Sequence, residues 1–229
     1  MTDNTDQTPD DHPDLPARID AATAIRRLSH AIVSHRADIS TLHRIASAAD
    51  QLAVQIEAQP LRGRLDEMLT NPRFVKAMDG GSLEGVIEDG AFVDLFHDSP
   101  VSGSANPLGM GLRLRRDANE SVGSVILAAG WEGAPGRAHG GVVAACVDET
   151  IGGLLPIIGT MAFTGELNLR YSAPCPLATP IEFRARLVNR EGRKLYIECT
   201  GSSSEGVFIE SSALFIAVDP SQLASMADQ

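Results

Sequence analysis

The stretch Gly136-Arg137-Ala138-His139-Gly140-Gly141-Val142-Val143-Ala144-Ala145-Cys146-Val147-Asp148 sets the strongest limit on how this chain can fold. A His-Gly-Gly turn runs into residues 142–155, which are too apolar for a surface helix and so have to be enclosed. One carboxylate sits early in that run. Asp148 follows Gly141 by seven residues, about two turns, so its side chain returns to within about 20° of the direction of Gly141. A helix N-terminus and a carboxylate are therefore expected to face one cavity. Free N–H groups of a first turn, backed by the positive end of the helix dipole, suit a carbonyl oxygen that gains negative charge during attack. A carboxylate there suits activating water or attacking the carbonyl carbon itself. The plainer alternative is a strand-to-helix turn with a solvated Asp148 on a helix rim. Burial argues against it, because an enclosed carboxylate without partners is costly. Glu149 points about 100° further round the helix and is expected to be exposed or at an interface.

With 229 residues the chain has room for one substantial domain and an extension. Its formal net charge of -11 argues against nucleic acid or an anionic membrane as the main partner. Part of that charge is local: Asp3, Asp6, Asp10, Asp11, Asp14 and Asp20 crowd the start, opposed only by Arg18, and residues 1–16 read as a disordered acidic tail. No positive segment with an apolar core follows Met1, and no apolar run reaches the roughly 18 residues of a membrane span, so a cytoplasmic protein is expected. Cys146, Cys175 and Cys199 are widely spaced and read as buried small hydrophobes. The histidines form no metal-spacing cluster, and neither a metal nor another cofactor is expected.

Residues 17–79 read as an N-terminal helical extension. Ile25, Leu28, Ile32, His35, Ile39, Leu42, Ala46, Ala49, Ala53 and Ile56 fall on alternating three- and four-residue steps, a heptad seam that runs to Pro60. Packing against the main domain is the expected use of that seam, and it could shape a substrate tunnel. A second helix is expected over residues 61–69. Residues 80–107, rich in Gly, Ser, Asp and Pro around Phe92, Val93, Leu95 and Phe96, read as a linker or lid.

From residue 108 the period changes to two. Leu112 and Leu114 alternate with Arg113 and Arg115, and a hairpin follows at Asp117-Ala118-Asn119-Glu120. After the buried helix, Leu167, Leu169 and Tyr171 alternate with Glu166, Asn168 and Arg170. Two further alternating strands and a last one over residues 206–218 follow, with turns at residues 190–193 and 203–206. Two strands, one apolar helix and four more strands describe an α+β domain over residues 108–219, an antiparallel sheet wrapped round a central helix, with a tail at 220–229.

Trp131-Glu132-Gly133-Ala134-Pro135-Gly136-Arg137-Ala138-His139-Gly140-Gly141 with Asp148 resembles hotdog-fold acyl-CoA thioesterases, in the PaaI-like branch that includes mitochondrial long-chain acyl-CoA enzymes. Thr164-Gly165-Glu166-Leu167-Asn168-Leu169-Arg170-Tyr171-Ser172-Ala173-Pro174 and Glu191-Gly192-Arg193-Lys194 are similar to later motifs of that branch. The resemblance implies a hydrolase of lipid metabolism acting on acyl-CoA. It implies a homodimer, or a dimer of dimers, whose sheets join edge to edge with sites at the interface. It makes Asp148 the general base or nucleophile, the Gly141 N–H the oxyanion donor, His139 a residue shaping the turn, and Gly140 part of the substrate site. Thr164 matches a family Ser or Thr that helps hold the attacking water; as a sequence feature it reads equally as a β-branched strand residue. No Asn stands between Gly133 and Ala138, where some members of the wider family carry one. Coenzyme A would be held by scattered basic side chains, with Arg193 and Lys194 the candidates kept from a set that includes Arg184, Arg186 and Arg190.

Two rival functions remain open. A non-catalytic acyl-CoA-binding module with a regulatory role would keep the fold and make Asp148 structural. A hydratase acting on enoyl thioesters needs an Asp and a later His, and no histidine follows Asp148.

Overall fold

Alternation of apolar and polar side chains from residue 113 onward builds six strands: β1 (Arg113–Asp117), β2 (Glu120–Ile126), β3 (Ala162–Tyr171), β4 (Pro180–Glu191), β5 (Lys194–Ser203) and β6 (Gly206–Ala217). In this computed structural model, which describes residues 13–63, 87–93 and 96–218, they form one antiparallel sheet in the order β1-β2-β4-β5-β6-β3. Between β2 and β3 the chain crosses the sheet as a helix over Gly140–Gly152. That helix buries Val143, Cys146, Val147 and Ile151 against Phe183, Leu195, Ile197, Phe208 and Phe215 of the sheet's inner face. Each such side chain gains about 1.5–3 kcal/mol by leaving water, which fixes the helix in the curve of the sheet. The chain thus adopts the hotdog fold, a sheet wrapped round one helix.

The sheet's two edges differ. At β1, the Val93 N–H donates to the Leu114 carbonyl (2.9 Å), the Gly90 N–H to Arg116 (3.1 Å), and the Arg116 N–H returns to Ala91 (2.9 Å). Ile87, Val93 and Val101 are buried in the core. The described part of the segment read as a linker or lid is thus a cover for the β1 edge. Phe92 and Val93 of its apolar island meet β1 through one isolated bridge, Phe92 to Arg115, and the hydrogen bonds above. β3, at the other edge, pairs with β6 on one side and has no strand along its outer side among the described residues, and most of its ten residues are exposed.

The extension breaks into two helices, α1 (Leu15–Ser34) and α2 (Ile39–Glu57), where the seam suggested one run to Pro60. Asp38 starts the second helix: its carboxylate accepts from the Thr41 N–H (2.9 Å) and from the hydroxyls of Ser40 (2.6 Å) and Thr41 (2.8 Å). Those donors, the Ser40 hydroxyl foremost, hold its carboxyl down at about 2. α1 begins at Leu15, two residues ahead of the expected start of the extension at residue 17, because Leu15 is apolar and finds a buried place, as does Ala22. Arg18 pairs with Asp98 (2.5 Å), and Arg26 donates to the carbonyls of Asn106 (2.6 Å) and Ser104 (3.2 Å). α2 buries no residue, leaving Ile39, Leu52, Val54 and Ile56 exposed. Of the helix expected over residues 61–69, residues 61–63 are not helical and the remainder lies outside the described residues, as do residues 1–12 of the acidic tail and residues 219–229. No helix among the described residues is long and apolar enough to cross a membrane.

Candidate active site

The central helix, numbered α3 (Gly140–Gly152), starts from a turn held at several points. Residues Ala129–Trp131 make one 3-10 turn, Glu132 bridges to Ala138, and the His139 N–H donates to the Trp131 carbonyl at 2.8 Å. The Glu132 carboxylate accepts from the Gly136 N–H (2.6 Å), where a positive φ of 77° requires glycine. His139 is thereby placed as the residue capping α3, and its Nδ1 accepts from the Gly141 N–H at 3.0 Å. A backbone N–H can only donate, so Nδ1 is the acceptor of this contact. Val142 and Val143 both donate to the His139 carbonyl, leaving the Gly140 N–H without a partner among the described residues. Tyr171 closes the turn from β3, donating its hydroxyl to the Gly140 carbonyl (2.8 Å), and partial burial pushes its pKa up so that it stays a donor.

Two turns along α3, the half-buried Asp148 accepts a hydrogen bond from Thr164 Oγ1 at 3.1 Å. Strict alternation would prevent this contact, since Leu167, Leu169 and Tyr171 face inward and even-numbered residues face out. Thr164 nevertheless pairs with the inward Phe215, because β3 slips register between Thr164 and Glu166. Gly165 is the extra residue of this bulge, and the slip turns Thr164 to the helix side. With Gly140 beside Tyr171 and Asp148 beside Thr164, α3 runs opposite to β3.

Glu149 departs from the sequence reading. It is half-buried and accepts from the hydroxyls of Ser99 (2.5 Å) and Ser102, so it fastens the covering segment to α3 instead of facing solvent. Gly141 and Asp148 share a direction round α3 but are separated along its axis. Seven residues rise about 10.5 Å, too far for one carbonyl group to touch both the first turn and the carboxylate of the same helix.

The basic side chains divide. Arg184 is ringed by Asp117, Glu120 and Glu182 at 2.8–3.0 Å, and Arg186 pairs with Glu198 at 2.9 Å. Arg193 donates to the Ala217 carbonyl (2.9 Å), which ties the β4–β5 turn to the end of β6. Lys194 stands in register with Ile216 and, across it, Phe163, so Arg193 and Lys194 lie at the Thr164 end of the sheet, about 10 Å away across two strand spacings. Cys146, Cys175 and Cys199 are all buried, and burial pushes their pKa values up to about 12, 11 and 12, which keeps them as inert thiols. Among the described residues no group of three or more His, Cys, Asp and Glu could hold a metal ion.

Comparison with known proteins converges on this region. Residues 135–209 match the family model described as thioesterase superfamily. Acyl-coenzyme A thioesterase THEM4 of Mus musculus is 38% identical over 91 residues, 39% of this chain and 39% of that protein. Acyl-coenzyme A thioesterase THEM5 of Homo sapiens is 36% identical over 87 residues, 37% of this chain and 35% of its own. The match thus spans well under half the length of these curated relatives. A crystal structure of a thioesterase superfamily protein superposes with a TM-score of 0.71 at 25% identity, covering 92% of this chain and 93% of that one. The resemblance carried by the His-Gly-Gly turn and Asp148 is borne out over the domain that contains them.

Proposed function

We propose that this chain hydrolyses acyl-CoA thioesters to the free acid and CoA, with Asp148 and the start of α3 as its reacting centre. The observation that carries this reading is the Thr164–Asp148 hydrogen bond on the inner face of the sheet, on the same helix whose first turn is left open by two glycines. Asp148 takes a proton from water as the water oxygen attacks the thioester carbon, or attacks that carbon itself to give an anhydride that water then opens. Thr164 spends its proton on one carboxylate oxygen and so fixes the direction of the other. The oxyanion lies against the N–H groups of Gly140 and Gly141, the His139 ring turning from Gly141 as the carbonyl arrives. The carbon–sulfur bond then breaks, and the CoA thiolate takes up a proton. Arg193 and Lys194 are the side chains proposed to meet the phosphates of CoA.

The 10.5 Å rise between the first turn and Asp148 is resolved by a homodimer in which one protomer supplies the turn and its partner the carboxylate. The exposed edge of β3 supports that arrangement, since a strand of ten residues open along its outer side is a ready surface for a second sheet. A panel of acyl-CoA esters assayed for free thiol tests the activity. Asp148→Asn is expected to lower turnover about 10²- to 10⁴-fold with the fold retained, while Glu149→Gln loosens the covering segment and costs far less. The binding-module reading gains from one observation, the engagement of the Gly141 N–H by His139. Tight acyl-CoA binding with no thiol released by the wild type would establish it instead.

A further inference from the structure

The helix α1 lies outside the segment matched to the family, yet it touches the turn that starts α3. The half-buried His30 accepts a hydrogen bond at Nδ1 from the Gly130 N–H (3.0 Å), a contact between residues 100 positions apart. Its ring meets Trp131 edge-on, with centroids 5.8 Å apart and planes at 72°. Gly130 permits this approach by lacking a side chain: a Cβ there would stand 2.5 Å from His30 Nδ1. From Trp131 the connection continues without a gap. Its carbonyl receives the His139 N–H at 2.8 Å, and His139 Nδ1 receives the Gly141 N–H at 3.0 Å. Only Trp131 and His139 stand between His30 and the first turn of α3.

We propose that His30 is a positioning residue for the His139–Gly141 turn, acting through Gly130 and Trp131, and that α1 is a brace for the reacting centre. The proposal rests on the reading of that turn as the oxyanion site. Chemistry favours a specific role over mere packing. A helix needing only apolar contact has no use for an imidazole whose acceptor nitrogen is aimed at a backbone donor, and Gly130 would gain helix and loop stability from a side chain. α1 is also set in place beforehand: Arg18 and Arg26 hold it to residues 98–106, and Glu149 holds Ser99 and Ser102 of that same segment to α3. The brace therefore grips the turn at one end and, through Glu149, the helix two turns on. A shift of the turn by about 1 Å is enough to cost up to a hundredfold in rate.

The test uses the full chain and two readouts. Trp131 is the single tryptophan, so its emission reports the His30 contact directly. His30→Leu keeps bulk and removes the acceptor. The expected result is a shifted Trp131 emission and faster amide exchange over residues 129–141 with the sheet unchanged, together with a fall in kcat of roughly ten- to hundredfold and KM within about twofold. His30→Asn, whose side-chain oxygen reaches the place of Nδ1, is expected to recover most of kcat. Gly130→Ala attacks the same contact from the other side and should reproduce His30→Leu if that variant fails to fold. Unchanged emission and exchange in His30→Leu, or equal losses in His30→Asn and His30→Leu, overturn the proposal. If the wild type releases no thiol from any acyl-CoA, the thioesterase reading falls, while emission and exchange still decide whether His30 holds the turn.

Discussion

Thr164 reaches Asp148 because Gly165 is inserted within an otherwise regular strand, and the two residues stand or fall together. Thr164→Val keeps the β-branched shape and deletes the hydroxyl, so the fold and its Tm should hold while kcat drops. A hydrogen bond to a carboxylate contributes about 1.5–3 kcal/mol when sheltered; Thr164 is exposed, so about a tenfold loss is expected, and Thr164→Ser should restore activity in the thiol-release assay. At this scale the sequence was only partly legible. The inward face of β3 could be read from Leu167, Leu169 and Tyr171, but the same alternation sends Thr164 outward, and its place beside Asp148 came only with the family resemblance. Gly165 was the available signal, since glycine inside a strand commonly marks a bulge. The direction of Glu149 round the helix was sound. Its surroundings are not legible, because nothing in local spacing says that Ser99 and Ser102 return to cover it.

Among the elements, the central helix and the last four strands follow directly from their periods, and turns at Gly192 and Gly206 fall where hairpin residues indicate. The extension is different. A heptad seam records which residues share a stripe but is blind to a break that keeps the stripe in phase, and His35 and Ile39 satisfy the spacing on both sides of one. The capping signal Asp38-Ile39-Ser40-Thr41 marks the break instead. This leads to a pH prediction. The folded carboxyl of Asp38 sits at about 2, below the roughly 3.9 of an unfolded chain. Its contribution to α2 is therefore complete above about pH 4 and is lost as pH falls toward 2. Helical circular dichroism of the wild type and of Asp38→Ala should differ near neutrality, with the variant lower, and the difference should close over that interval. A gap that persists at about pH 2 would assign the cap to something other than the ionised carboxylate. The covering segment is illegible for a related reason: a single bridge at Phe92 amid Gly, Ser and Asp offers no alternation to read, and its pairing with β1 is purely tertiary.

For the whole molecule, the proposed shared site has a direct test in mixed dimers. An Asp148→Asn chain and a Gly141→Val chain, each inactive as a homodimer, should regain activity when coexpressed, since one site of each mixed pair then holds an intact turn and an intact carboxylate. No recovery in verified mixed dimers would place both groups on one chain. The difference between the two sheet edges has a further consequence for how such assemblies can grow. Residues 90–93 occupy the β1 edge, so a neighbour cannot add there, and β3 is left as the single docking strand among the described residues. A sheet with one open valence is spent by its first partner. Two copies joined β3 to β3 present no remaining bare strand, whereas a chain open at both edges could add copies without limit into a fibre. In such an assembly the segment at residues 90–93 would act as a chain terminator for the sheet.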